Sequence, residues 1–176
     1  MRSGKMRVAT GKGDDGKTRF GGREYFKDDL LIEALGQLDE LVSALGMVYL
    51  YEPHWDMRAE IREIQDRLLM CARWLCATAC GDETDSGELT AFLEELTRKC
   101  ERLEQELHLE PRQVLPGENM SSTYLDHARV VARRCERRLV SLKRDGEVDP
   151  DVVLKVANRL SDYLWLLARR ADLQVH

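Results

Sequence analysis

Apolar residues recur every three to four positions through five stretches of the chain, the period of an amphipathic helix. The first stretch runs from about Leu30 to Tyr51, with Leu31, Leu35, Leu38, Leu41, Leu45 and Val48 on one face. The second, about Trp55 to Cys80, carries Ile61, Ile64, Leu68, Ala72, Leu75 and Ala79 and stops at Gly81. A third, about Glu88 to Leu107, carries Leu89, Phe92, Leu96, Cys100, Leu103 and Leu107. The fourth starts near Ser121 or Ser122 and aligns Leu125, Ala128, Ala132, Cys135, Leu139 and Leu142. The fifth opens at Asp149-Pro150, read as an N-cap followed by proline at the first helical position, and continues through Val153, Val156, Leu160, Leu164 and Leu167 to about Ala171. Segments rich in Gly, Pro or charge, Gly81–Gly87, His108–Met120 and Lys143–Glu147, separate them.

Helices with one apolar stripe bury it only against each other, so a bundle of four or five helices follows. The pattern predicts an all-α fold and a single domain over residues 1–176, with residues 30–172 as the bundle. The one segment with a strand-like pattern is Met6–Ala9. Thr10 to Asp29 is glycine-rich and charged, and is expected to be an ordered loop outside the core.

Composition narrows the function classes. A formal charge of −5 argues against a general nucleic-acid or membrane-surface binder. No stretch approaches the roughly 18 apolar residues of a membrane span, and Met1 to Lys17 lacks the apolar core of a secretory signal, so the expected location is the cytoplasm. The five cysteines include no C-x-x-C pair and fall within the predicted helices, which suits reduced core thiols. The four histidines are scattered and suggest no Cys/His metal site.

Residues 11–18 read GKGDDGKT, which literally satisfies the P-loop pattern. That motif works between a strand and a helix, where the helix N-terminus faces the phosphates. Here Arg19-Phe20-Gly21-Gly22-Arg23 does not begin a helix, and the chain lacks the strand–helix alternation of a parallel sheet. The P-loop fold is rejected, but phosphate binding is not. Gly11, Gly13 and Gly16 allow backbone N–H groups to converge on an anion, and Lys12, Lys17 and Thr18 add donors. Asp14 and Asp15 would repel a bare polyphosphate, which points to Mg²⁺ or a salt partner nearby.

On the fourth helix, Arg129, Arg133, Glu136 and Arg137 share one face at about 100° per residue, while Arg134 and Arg138 point elsewhere. Guanidinium forks with an embedded carboxylate suit a polyphosphate; on an arbitrary helix, a solvated basic face laced by i,i+4 pairs is the commoner explanation. On the fifth helix Asn158, Asp162, Trp165 and Arg169 lie opposite the apolar stripe. Ordinary surface accounts for Asp162 and Arg169, whereas Trp165 there suggests a partner subunit or a bound ring system.

Three segments, taken in order, resemble the PduO-type ATP:cob(I)alamin adenosyltransferases. They are Thr10–Thr18 continuing through Lys27-Asp28-Asp29 to Glu33–Leu41; Leu115-Pro116-Gly117 followed by Ala128–Arg138; and Asn158–Trp165. The resemblance implies a five-helix bundle assembled as a homotrimer, with active sites between subunits. It implies that residues 1–29 carry a loop that folds over ATP and that Mg²⁺ accompanies the triphosphate. By position, the implied ATP contacts are Thr10, Gly11, Lys12, Gly13, Thr18, Lys27, Arg133, Glu136, Arg137 and Asn158. Asp39 and Arg129 match a pair that the family places across the subunit interface near the corrin, and with Arg133 they are the implied catalytic residues. Gln113 and Trp165 fall on the corrin side.

The implied reaction moves the 5′-deoxyadenosyl group of ATP onto Co(I) of cobalamin and releases triphosphate. A flavoprotein reductant and a B12-dependent acceptor enzyme are the protein partners it implies. Two positions depart from the family pattern. Gly11 replaces a usual lysine or arginine, with Lys12 beside it to compensate. Gln113 replaces a usual phenylalanine two residues before Leu115-Pro116-Gly117, an aromatic that helps displace the lower ligand of cobalt. These departures leave open a non-catalytic ATP/cobalamin-binding sensor or delivery protein on the same fold. A di-iron oxidase bundle is set aside because the chain has no Glu-x-x-His pair.

Overall fold

A computed structural model of the chain describes residues 9–109 and 113–173. A two-stranded antiparallel hairpin, β1 (Lys17–Phe20) and β2 (Arg23–Phe26), precedes five helices: α1 (Leu30–Tyr51), α2 (Trp55–Cys80), α3 (Gly87–Leu107), α4 (Met120–Asp145) and α5 (Asp151–Asp172). The expected five-helix bundle is present.

Helix ends follow local chemistry. Asn119 accepts from the Ser122 N–H at 2.8 Å while Ser122 Oγ accepts from the Asn119 N–H at 3.3 Å, a reciprocal cap that fixes the start of α4. Gly81 and Gly146 close α2 and α4 in the left-handed conformation. The expected start of α5 shifts by one residue: Pro150 occupies the N-cap, and Asp149 Oδ1 accepts from the Asp151 N–H at 3.1 Å.

Helix α1 lies between α2 and α4, and α4 between α1 and α5; α5 in turn packs on α3, which meets α2 only lightly. The stripes read from the sequence face inward. Leu38, Leu41, Leu45, Ile61, Leu68, Leu96, Leu139 and Leu164 are almost wholly buried, while Leu35, Ala72 and Leu107 sit at the margin. Burying each such leucine contributes about 1.5–3 kcal/mol. Cys71, Cys100 and Cys135 belong to this core as free thiols. Burial pushes Cys71 and Cys135 up to about 12 and Cys100 to about 11.

The expected ordered loop before Asp29 carries a β-hairpin that the sequence pattern did not predict. Of the segment expected to resemble a strand, Met6–Val8 lies outside the described residues, and Ala9 is not in a strand. Gly21 and Gly22 both take positive φ, as the two-residue turn between Phe20 and Arg23 requires. Opposed pairs put Lys17, Arg19, Glu24 and Phe26 on one face, and Thr18, Phe20, Arg23 and Tyr25 on the other. The Phe20 and Tyr25 rings stack at 4.8 Å and pack on the core, so the hairpin is docked on the bundle.

Docking depends on Gly21. A Cβ built there would lie 2.0 Å from Cys80 Sγ, at the last turn of α2. Gly21→Ala is expected to lift the hairpin while leaving the helices intact. Hydrogen exchange should show lost amide protection over residues 17–26 with unchanged protection in α1 and α4, and Cys80→Ala in the same chain should restore part of it. Unaltered hairpin protection in Gly21→Ala would contradict the close approach.

Candidate active site

The loop ahead of β1 is built from two successive turns. The Asp14 N–H donates to Gly11 O at 3.4 Å and the Gly16 N–H to Gly13 O at 3.2 Å, with Gly11, Gly13 and Gly16 all at positive φ. Gly13 admits no side chain: a Cβ there would stand 2.6 Å from Lys17 O. Lys27 clamps the loop from β2's end. Its Nζ donates to Gly13 O at 2.6 Å and its N–H to Gly16 O at 2.9 Å.

These turns border an open cavity of about 840 Å³ lined by residues between Gly11 and Lys27, including Lys12, Gly13, Thr18 and Lys27. Thr10 stands just outside that lining, where its Oγ1 accepts from the Lys12 N–H at 3.4 Å. Lys17 is committed elsewhere: Glu24 Oε1 accepts from it at 2.8 Å, and Arg19 holds the other oxygen at 3.1 Å. The hydrogen bonds from Lys17 and Arg19 hold the Glu24 carboxyl below its ordinary value.

Helix α4 divides its arginines between two neighbours. Arg134 reaches back to α1, where its Nε donates to Gln37 Oε1 at 2.8 Å and its Nη2 pairs with Glu40. Arg138 pairs with Glu33 of α1 at 3.4 Å. On the opposite flank Glu136 Oε1 accepts from Asn158 Nδ2 of α5 at 2.8 Å, and Arg133 lies 3.8 Å from Glu136 Oε2. Arg133 and Arg137 point outward between the flanks, both exposed. Glu136 and Asn158 belong to a groove of about 410 Å³ that also takes in Val140, Leu154, Lys155, Arg159 and two residues of α3. The structure therefore unites Arg133, Glu136 and Asn158, with Arg137 beside them.

The loop and this groove are separate. No hydrogen bond or ion pair among the described residues joins Thr10, Gly11, Lys12, Gly13, Thr18 or Lys27 to Arg133, Glu136, Arg137 or Asn158. The hairpin sits instead against Leu31 and the C-terminal end of α4, where it shares a cleft with Leu142 and Asp145. Asp39 and Arg129 are likewise not paired within the chain. Asp39 is exposed on α1, and Arg129 Nε donates to Asp126 Oδ1 at 3.1 Å.

The remaining candidates lie toward the α3–α4 connection. Gln113 is exposed there, beside a Leu115 that is 82% exposed. Trp165 is half-buried, packed on the core, and 5.8 Å from the Arg169 guanidinium. Arg169 itself corrects the reading of a plain surface residue. It is 5% exposed and its Nη2 donates to Asp126 Oδ2 at 2.5 Å. Asp126 and Arg129 stand one turn apart on α4, a spacing visible in the sequence, whereas the tie from Asp126 to Arg169 is set by the packing of α4 on α5.

No group of three or more His, Cys, Asp or Glu side chains poised to hold a metal occurs among the described residues, and no helix among them is long and apolar enough to cross a membrane.

A glycine loop bordered by lysines, ahead of a helical bundle that carries an arginine–carboxylate–asparagine groove, is an arrangement chemically suited to a polyphosphate ligand. Comparison with known proteins specifies it. The family model described as cobalamin adenosyltransferase matches residues 8–171. The chain is 33% identical over 172 residues to a corrinoid adenosyltransferase of Citrobacter freundii, covering 93% of each. It is 35% identical over 176 residues to the human corrinoid adenosyltransferase MMAB, covering 96% of this chain and 70% of that one. A variant PduO-type ATP:corrinoid adenosyltransferase from Lactobacillus reuteri, solved with cobalamin and ATP, superposes with a TM-score of 0.82 at 33% identity, over 95% of this chain and 91% of that one. The chain belongs to the cobalamin adenosyltransferase family.

The Glu24 contacts make the hairpin sensitive to acid. A carboxyl whose folded value is depressed stabilises the folded form above its unfolded value, and that contribution is lost as pH falls through the folded value. Hairpin protection factors should therefore hold steady at neutral pH and decline below the ordinary glutamate value of 4.5. Glu24→Gln should flatten that profile; an unchanged decline in the variant would assign it to another group.

Proposed function

We infer that the chain is a corrinoid adenosyltransferase, which transfers the 5′-deoxyadenosyl group of ATP to Co(I) of cobalamin and releases triphosphate. The observation that carries this reading is the clamped glycine loop with its cation-lined cavity, in a chain whose family match runs over residues 8–171. The electron pair of Co(I) attacks C5′, the C5′–O bond breaks, and triphosphate leaves with the bonding pair. The nucleophile belongs to the corrinoid, so the protein needs no Ser/His or Cys/His pair. Its tasks are to orient two large ligands and to stabilise charge on the leaving group.

Each task has residues suited to it. Backbone N–H groups around Gly11 and Gly13, with Lys12, Thr18 and Lys27, would receive the polyphosphate, and Thr10 would close the edge of the loop. Arg133 and Arg137 would meet the same phosphates from the groove side. The Glu136–Asn158 hydrogen bond holds two polar side chains of the groove in fixed orientation, where they would meet the nucleoside. Exposed Asp14 and Asp15 beside the phosphate cradle fit a Mg²⁺ that arrives with ATP, since Mg²⁺ needs few protein ligands when phosphates supply the rest. Bound there, the ion would neutralise part of the charge on the leaving triphosphate.

Because loop and groove lie apart on one chain, we place a complete site between subunits of a homotrimer, with Asp39 of one subunit meeting Arg129 of the next near the corrin. Free cysteines in every helix from α2 to α4 suit a reducing compartment, the cytoplasm. A flavoprotein reductant would supply Co(I), and a B12-dependent enzyme would take the product.

The test is anaerobic incubation with ATP, Mg²⁺ and chemically reduced cobalamin. Light-sensitive adenosylcobalamin should form with one triphosphate per turnover; binding of both ligands without product would favour a sensor or delivery protein. Arg133→Ala and Asn158→Ala should each weaken ATP use by about 10- to 100-fold, the loss expected for one charge-assisted contact. Arg134→Ala, whose guanidinium is held by Gln37 and Glu40, should change it far less. Equal losses in all three would refute the assignment.

Gln113 predicts a second outcome. Glutamine fills less apolar space beneath a corrin than phenylalanine and can hold a water near cobalt. Four-coordinate Co(II) should form poorly in the native protein with excess ATP, and Gln113→Phe should increase its electron paramagnetic resonance signal with little change in ATP affinity. A full signal in the native protein would show that another side chain displaces the lower ligand.

A further inference from the structure

Arg129 on α4 and Trp165 on α5 are both assigned to the corrin side, and no contact between them occurs among the described residues. Between them lies a buried pair of charges. Asp126 uses both carboxylate oxygens: Oδ1 accepts from Arg129 Nε at 3.1 Å and Oδ2 from Arg169 Nη2 at 2.5 Å. The Asp126 and Arg169 side chains are 6% and 5% exposed, whereas Arg129 is 26% exposed and makes no other hydrogen bond or ion pair among the described residues. Arg169 Nε faces Asp172 Oδ2 at 3.2 Å without the alignment of a hydrogen bond, and the Arg169 guanidinium stands 5.8 Å from the Trp165 ring. Nearby, Asn119 Nδ2 donates to Ala171 O at 2.9 Å, which ties the segment after Leu115-Pro116-Gly117 to α5 two residues from Arg169.

We propose that Asp126 and Arg169 are positioning residues for the corrinoid: through Arg129 on α4 and Trp165 on α5 they set the shape of the corrin side without touching the substrate. A buried pair resists rearrangement because neither ion can leave its partner without being stranded away from water. Asp126 therefore holds Arg129 by Nε alone and keeps both terminal nitrogens of that guanidinium free for an acceptor outside the chain. Arg169, fixed by the same carboxylate, backs the Trp165 ring. The ATP groove lies further along α4 and α5, at Arg133, Glu136 and Asn158, so disturbing the pair should alter corrinoid handling and leave ATP handling alone. This assignment rests on the adenosyltransferase reading.

Steady-state kinetics with each substrate varied separately provide the test. Asp126→Glu keeps the charge but displaces the carboxylate by one methylene. It should raise the KM for cob(I)alamin about tenfold, with the KM for ATP within about twofold of wild type. Asp126→Asn should do the same or more. The discriminating arm is a cycle with Arg129→Ala. If Asp126 acts in part through Arg129, adding Asp126→Glu to Arg129→Ala raises the cob(I)alamin KM by clearly less than Asp126→Glu does alone, the remainder being the route through Arg169 and Trp165, whereas a merely structural role adds its loss in full. Wild-type constants in Asp126→Glu, equal increases for ATP and cob(I)alamin, or full additivity in the cycle would each overturn the proposal. Wild-type protein that makes no adenosylcobalamin would remove the adenosyltransferase reading and this assignment with it.

Discussion

Helix α4 is gripped on two sides, by α1 and by α5, and this double burial decides what each of its many arginines can do. The stripe through Leu125, Ala128, Ala132, Cys135 and Leu139 must face the core, which fixes the rotation of the helix. Once that rotation is fixed, Arg134 and Arg138 fall on the α1 flank and are taken by Gln37, Glu40 and Glu33. Glu136 falls on the α5 flank and meets Asn158, and Arg133 and Arg137 are left facing outward. A run of similar residues is thus sorted into structural ties and free cations by helical geometry alone.

The same rotation separates the two halves of the candidate site. The hairpin docks where α1 begins and α4 ends, through the stacked Phe20 and Tyr25, while the groove opens on the α3–α5 side of α4. The loop presents backbone donors and lysines; the groove presents arginines, a carboxylate and an amide. Each half suits part of a nucleoside triphosphate, and neither provides for all of it. Assembly of like chains around a closed symmetry axis offers a route to join unlike surfaces, because a heterologous interface sets one patch of a subunit against a different patch of its neighbour.

Much of this was legible in the sequence for a physical reason: five long stripes of period 3.6 leave few alternatives to a bundle, and every apolar position chosen for α4 and α5 is buried. The glycines and lysines of the loop were equally plain. The hairpin was not, because its strands are four residues each and Phe20 and Tyr25 are too few to show an alternating pattern; the Gly21-Gly22 turn was the one local signal. Arg169 read as surface because its partner Asp126 lies 43 residues away, a pairing set by the packing of α4 on α5 and invisible to helical period. The separation of loop from groove was illegible likewise, since it depends on which neighbour lies on each flank of α4.

A site completed between subunits can be tested by mixing subunits. Lys27→Ala weakens the loop and Arg133→Ala the groove, so in the proposed homotrimer either variant alone should keep about a tenth of the wild-type activity or less at limiting ATP. Co-expressed with separable tags and purified as mixed trimers, they should recover about a third of the wild-type rate per site, because every trimer of mixed composition has one junction of three with both an intact loop and an intact groove. Hybrids as inactive as the parent variants would show that loop and groove of one chain serve the same site, and would contradict the account.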